Sequence, residues 1–258
     1  MKTRIITAIV LLAILVPVII LGGIFFEVII ALLSALALRE LFSLYEKNTK
    51  IPLIIKILSY LSVVILSICS DALLPCIGLI VLFLMIPIVF FKDEEYNFNN
   101  AISLLGIVLF TGFLFYNVCY IRFSSLDEFI YVISITILTD TFAYIGGKTL
   151  GKHKLLPRVS PNKTIEGSVI GLIVGTIIPS IYYLYEINQS MNISLIILMT
   201  VLLSIIGQLG DLLFSSIKRH YKVKDFSNLF PGHGGVLDRF DSILIVSILY
   251  IIIKIIFL

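Results

Sequence analysis

Charge is what this sequence has least of. Only 14% of its 258 residues are Asp, Glu, Lys or Arg while 59% are hydrophobic, and the mean hydropathy is +1.12. Soluble domains carry about 25% charged and roughly 45–50% apolar residues, so a water-soluble fold is excluded. Cysteine is scarce too: Cys69, Cys76 and Cys119 lie in or beside apolar runs without the paired spacing of a metal site. They are expected to pack as small apolar residues. No small-residue cleavage site follows the first apolar run, 5–21, which passes into Gly22-Gly23 and a second apolar stretch, so that run is expected to be retained. Repeats, low-complexity tracts and long linkers are missing as well, which leaves a single transmembrane domain over 1–258. The net charge of +3 is too small to suggest a nucleic-acid partner.

What fills the chain instead is a succession of apolar runs, each near the about 20 residues that a helix needs to cross a hydrocarbon core. Polar breaks divide them into about nine spans, near 5–22, 24–44, 52–70, 72–91, 101–120, 128–147, 167–185, 193–217 and 239–258. Backbone groups in lipid must be satisfied within the segment, so the expected fold class is all-α: a polytopic integral membrane protein of about nine transmembrane helices. If the N-terminus with Lys2 and Arg4 is cytoplasmic, 16 of the 19 basic residues fall on that side. Arg122 falls outside, and Lys56 and Lys254 lie within spans. This distribution follows the positive-inside rule and puts the C-terminus outside.

Residues 1–127 carry few polar side chains within their spans and read mainly as scaffold, whereas 128–258 read as the catalytic half. Two cytoplasmic loops there, 148–166 and 218–239, are dense in Lys, Arg, Gly, Pro and Ser. Asp211 lies near the cytoplasmic end of the eighth span, where a carboxylate must be offset by a partner. Asp238 and Asp241 stand three apart at the start of the last span and share a helical face. Like charges so placed repel unless a cation sits between them, and Mg²⁺ is held by one or two carboxylates together with substrate phosphates. Asp211, Asp238 and Asp241 are therefore the candidate metal residues. The alternative makes Asp238 and Asp241 helix-dipole partners and pairs Asp211 with Lys218 or Arg219.

The loop 218–239 places Lys218, Arg219, Lys222 and Lys224 before a Pro-Gly-His-Gly-Gly turn, whose glycines let backbone amides approach an oxyanion. Its His233 reads as a phosphate donor, a proton carrier or a structural side chain. In the other loop, Gly146, Gly151 and Lys152 have the spacing of a phosphate-binding P-loop. His153 stands where Ser or Thr is required and the segment follows an apolar span, so that reading is rejected. Ser160, Lys163 and Thr164, with Glu166 at a helix start, offer hydroxyls, a cation and helix N-terminal amides to an anion; an ordinary capped helix start is the alternative. Asp140, deep in the sixth span, is an intramembrane acid and by that token a functional candidate.

Residues 215–241 resemble the C-terminal signature of the phosphatidate cytidylyltransferases, the CDP-diacylglycerol synthases. The resemblance is carried by Ser215, Lys218-Arg219, Lys224-Asp225, Pro231, His233-Gly234-Gly235 and Asp238-Arg239-Phe240-Asp241. Residues 140–167 resemble the family's second conserved stretch, and the polytopic pattern fits most of the chain. Two positions depart: Phe142 stands where the family usually has Gly, and Phe214 where it usually has Glu.

The resemblance implies a nucleotidyltransferase that joins CTP to phosphatidate, releasing pyrophosphate, in the bacterial cytoplasmic membrane with its site facing the cytoplasm. It implies Asp211, Asp238 and Asp241 at Mg²⁺, with a second cation left open. Lys218, Arg219, Lys224, Asp225, His233 and Arg239 are then expected in catalysis. Asp140, Lys152, Ser160, Lys163, Thr164, Glu166, Ser215, Gly234 and Gly235 are expected at the substrates. Membrane lipids are expected neighbours, and a homo-oligomer is left open. An ion-coupled transporter is disfavoured because the acids cluster toward one face and no inverted repeat shows. A CDP-alcohol phosphotransferase is disfavoured because its run of spaced aspartates is missing.

Overall fold

The computed structural model describes residues 2–69 and 72–257; the expected span ends at 70 and 258 lie outside the described residues. Among the described residues there are nine α-helices and one two-stranded sheet. They run α1 (Lys2–Leu21), α2 (Gly23–Tyr45), α3 (Leu53–Ile68), α4 (Leu73–Met85), α5 (Phe98–Ser124), α6 (Leu126–Leu150), β1 (Lys154–Leu156), β2 (Ser160–Thr164), α7 (Ile165–Tyr182), α8 (Ile193–His220) and α9 (Leu237–Phe257). Each apolar run in the sequence contains one helix. The fourth run does not stay α-helical to its end: α4 stops at Met85 and Ile86–Val89 is a 3₁₀ turn around Pro87, which lacks the N–H an α-helix would use.

Among the described residues, four segments are long and apolar enough to cross a membrane: Phe98–Ser124, Leu126–Leu150, Ile165–Ile187 and Ile193–His220. Large apolar side chains are exposed along most of the helices, with Leu21 at 68%, Leu53 at 74% and Leu74 at 80%. Water does not tolerate so extensive an apolar surface, and lipid does. The chain is a helical integral membrane protein.

By backbone proximity the chain forms two compact units, Met1–Phe123 with Asp225–Asp238, and Ser124–Lys224 with Arg239–Leu258. In the first, α2 to α5 surround a core that includes Leu38, Phe42, Ile55, Leu66, Ile80, Leu84, Leu104 and Val108. Ser34 donates to Ser67 across α2 and α3 at 3.1 Å. Arg122, the one basic residue expected outside, donates to the α1 carbonyls of Ile19 and Ile20 at 2.6 and 3.0 Å. Those carbonyls belong to the last turn of α1, where no further intrahelical partner exists. Lys56, expected within a span, pairs with Glu46. The Cys69 and Cys76 sulfurs lie 3.1 Å apart, so these two pack on each other at the α3–α4 turn.

The second unit is built on glycine. Gly167, Gly171 and Gly175 recur every four residues along α7 and present a face without side chains to α6. A Cβ on Gly171 would lie 2.5 Å from the Thr139 carbonyl oxygen, and one on Gly167 would lie 2.5 Å from that of Ala143. Small residues at such spacing let membrane helices approach backbone to backbone. Hydroxyls then bind helix to helix: Thr139 with Ser204 at 2.8 Å, Tyr131 with Thr200 at 2.7 Å, and Ser180 with Thr200 at 3.0 Å. Lys254 on α9 pairs with Glu128 on α6 at 2.6 Å, which accounts for a second charge expected within a span.

The expected loop 148–166 is not irregular throughout. Lys154 pairs with Thr164 and Leu156 with Ser160 in a short antiparallel hairpin. Ile165 N–H closes it onto the His153 carbonyl at 2.9 Å. Its strands are too short and polar for periodicity to reveal.

Candidate active site

In the second unit, α6, β2, α7 and α8 enclose a cavity of about 510 Å³. Its wall includes Asp140 and Lys148 from α6, Lys163 and Thr164 from β2, Ser168 from α7, and Gln208 and Asp211 from α8. The glycine stripe brings α7 close to α6, and the hairpin then turns Lys163 inward at the mouth. Lys163 Nζ meets Asp211 Oδ2 at 2.5 Å. The expected alternative paired Asp211 with Lys218 or Arg219 along its own helix; the hairpin lysine is the partner instead. Ser215, one turn on, donates to Asp211 Oδ1 at 3.3 Å.

Asp140 accepts a hydrogen bond from Ser242 Oγ at 3.0 Å. It is repelled by Asp211 and attracted by Lys163. Asp241 accepts from the Ser242 N–H at 2.8 Å, is repelled by Asp211 and Asp140, and is attracted by Lys218. Three carboxylates from α6, α8 and α9 therefore feel one another, with two ammonium groups offsetting them. Among the described residues no three His, Cys, Asp or Glu side chains converge as a preformed metal cluster.

Several expected substrate residues serve the hairpin. Glu166 accepts from the N–H groups of Lys152 and His153 at 3.0 and 3.2 Å and meets His153 Nδ1 at 2.6 Å. Thr164 caps α7 by accepting from Gly167 N–H at 3.2 Å while also lining the cavity. Arg219 donates to the Val159 and Val223 carbonyls at 3.2 and 2.9 Å, and so ties the end of α8 to the hairpin turn. Ser160 is half-buried, whereas the Lys152, Lys224 and Arg239 side chains are exposed. Phe214 is fully buried, so a phenyl ring fills a core position there.

The loop residues Asp225, His233, Gly234, Gly235 and Asp238 belong to the first unit. Asp225 is exposed, and His233 is half-buried with its N–H donated to Phe230 O at 2.8 Å. Gly232 and Gly234 have φ of +78° and +86°, a conformation that favours glycine. Asp238 Oδ2 accepts from Phe226 N–H at 2.8 Å and Gly235 N–H at 2.9 Å. The oxyanion that the Gly235 amide approaches is thus a carboxylate of the chain itself.

Sequence reading missed two residues here. Gln208 exchanges hydrogen bonds with Ser168, its Oε1 accepting at 2.5 Å and its Nε2 donating to the Ser168 carbonyl at 3.3 Å. A glutamine inside an apolar span three residues before Asp211 was the available signal. Glu40 on α2 is 4% exposed and accepts from Ser227 Oγ at 2.7 Å, Val236 N–H at 2.7 Å and Leu237 N–H at 3.0 Å. Its signal was an acid at the polar end of a span otherwise read as scaffold.

The sequence profile described as cytidylyltransferase family matches residues 2–257. The phosphatidate cytidylyltransferase of Staphylococcus haemolyticus is 38% identical over 250 residues, covering 95% of this chain and 96% of the relative. That of Staphylococcus epidermidis is 38% identical over 253 residues, again covering 95% and 96%. That of Staphylococcus aureus is 36% identical over 254 residues, with the same coverage.

Proposed function

Because this chain belongs to the cytidylyltransferase family, we propose that it transfers CMP from CTP to phosphatidate, forming CDP-diacylglycerol and pyrophosphate for phospholipid synthesis. The observation that carries the reading is the match to relatives named phosphatidate cytidylyltransferase along nearly the whole of both chains.

In this reaction a phosphatidate oxygen attacks the α-phosphorus of CTP and the bond to the β,γ-diphosphate breaks. The attacking oxygen is already anionic near neutral pH, so little proton transfer is needed. Positioning and charge neutralisation do most of the catalytic work. Lys163 and Lys148 give the cavity cations for phosphate, and Thr164 a hydroxyl. Lys163 leaves Asp211 for a phosphate oxygen when the nucleotide enters. Arg219 keeps the hairpin against α8, so that Lys163 stays aimed at the cavity.

Mg²⁺ is the proposed cofactor, and the donor chemistry of the second unit fits it. Asp211 and Asp241 offer hard oxygen donors, and their mutual repulsion favours positive charge between them. When bound, the ion supplies neutralisation of the phosphate charge that builds as pyrophosphate leaves. The remaining expected roles, those of Lys218, Lys224, Asp225, His233, Arg239, Gly234 and Asp238, belong to the same proposal. So do nine crossings with the N-terminus and both loops cytoplasmic, where CTP arrives from water and the lipid headgroup lies at the same depth.

Purified protein incubated with phosphatidate, Mg²⁺ and CTP labelled at its α-phosphorus should move label into the organic extract as CDP-diacylglycerol. Label that stays aqueous across a range of detergents and lipids overturns the reading.

A further inference from the structure

Glu40 lies about 190 residues before the loop it binds, outside both functional loops and outside every motif that carries the family resemblance. A buried carboxylate on an apolar helix is costly unless its oxygens are hydrogen-bonded. Here both are, and every donor comes from one segment: the hydroxyl of Ser227 and the consecutive amides of Val236 and Leu237. The start of α9 needs such a partner. The first amides of a helix have no intrahelical acceptor, and Val236, just before Leu237, has no side-chain oxygen with which to cap them.

Two carboxylates divide the work. Asp238 takes the Gly235 amide and Glu40 takes the next two. The packing leaves no slack, since a Cβ on Gly235 would run into the Glu40 carboxylate and one on Gly234 would lie 2.7 Å from Asp238 Oδ2. Gly235 is therefore glycine because Glu40 is there. Glu40 fixes the segment from Ser227 to Leu237, and with it His233, the two glycines and the carboxylate of Asp238.

We infer that Glu40 is a positioning residue for the transfer reaction, holding the His-Gly-Gly-x-x-Asp segment in its working conformation without touching substrate. This rests on the functional reading above. A residue that only stabilised the fold would change how much protein accumulates and not what each folded molecule does.

The test compares wild type, Glu40→Gln and Ser227→Ala by steady-state kinetics per folded molecule and by hydrogen exchange. Gln keeps the size but offers one acceptor oxygen and turns an NH₂ toward backbone donors. Glu40→Gln should lower kcat about tenfold or more while KM for CTP and phosphatidate stays within about threefold. Exchange should quicken in the peptide covering 226–237 and stay unchanged in peptides from α7 and α8. Ser227→Ala, which removes one donor to Glu40 and the acceptor of the Leu229 N–H but leaves the Val236 and Leu237 amides on Glu40, should lower kcat by about two- to fivefold and decides the matter if Glu40→Gln fails to accumulate. Wild-type kcat in both variants, with wild type active, overturns the inference alone. A wild type that moves no CMP from CTP to phosphatidate overturns the functional reading and this inference with it.

Discussion

Lys163 is the residue on which the cavity turns. Its ammonium faces two acids, Asp211 in direct contact and Asp140 through space, and both partners of the ion pair are about one-quarter exposed. Asp211 keeps the Ser215 hydrogen bond and its partial exposure when the lysine is gone, so removing Lys163 should cost function more than folding. Lys163→Ala should lower kcat/KM by about 10- to 100-fold, or roughly 1.4–2.8 kcal/mol of transition-state stabilisation, with normal accumulation in the membrane. Steady-state kinetics in mixed micelles would check this; unchanged kcat/KM for both substrates would return Lys163 to an ordinary surface role. The sequence made Lys163, Asp211 and Asp140 visible as charges in or beside apolar spans. It could not show that Lys163 and Asp211 meet, because they are brought together by a hairpin whose two strands total eight residues. For Glu40 the acid itself was legible but its role was not: its partners are mostly backbone amides, and amides carry no residue signature.

At the scale of elements, the helices were legible and their contacts were not. Apolar length marks a membrane helix whatever it packs against; each of the nine α-helices among the described residues overlaps an expected run, and four segments there are long and apolar enough to cross a membrane. The partner of each helix depends on shape, and the clearest shape signal, Gly167, Gly171 and Gly175 at four-residue spacing, went unread beside the more conspicuous charges. That stripe sets the distance between α6 and α7 and so the width of the cavity between Asp140, Gly147, Thr164 and Ser168. Gly171→Leu forces a side chain against the Thr139 carbonyl and the Ala143 methyl. Overpacking of this kind typically costs 1–3 kcal/mol, estimated at about the order seen in soluble cores. The variant should unfold at a lower temperature in detergent and lose activity together with its second unit; an unchanged melting temperature would contradict the backbone contact. Asp238 shows the same limit from the other side. Its three-residue spacing from Asp241 predicted a shared face, but the structure spends one of its oxygens on two amides of the preceding loop.

For the whole molecule, the proposal places both basic loops in the cytoplasm. Lys152 and Asn228 are exposed, one in each loop. In a cysteine-free background, a single cysteine at either position should resist a membrane-impermeant maleimide in intact cells and react after permeabilisation. Labelling in intact cells would reverse the orientation and remove CTP access. The central claim is narrower than topology: one nucleotide is split between one lipid and one pyrophosphate. It is tested most directly by following two labels at once in a reaction of purified protein, phosphatidate, Mg²⁺ and CTP labelled distinctly at the α- and γ-phosphorus. The account predicts that the α-label enters the lipid fraction in step with γ-label appearing as pyrophosphate, one for one, and that omitting phosphatidate stops both. Release of γ-label as inorganic phosphate, or pyrophosphate formed without lipid labelling, would contradict it.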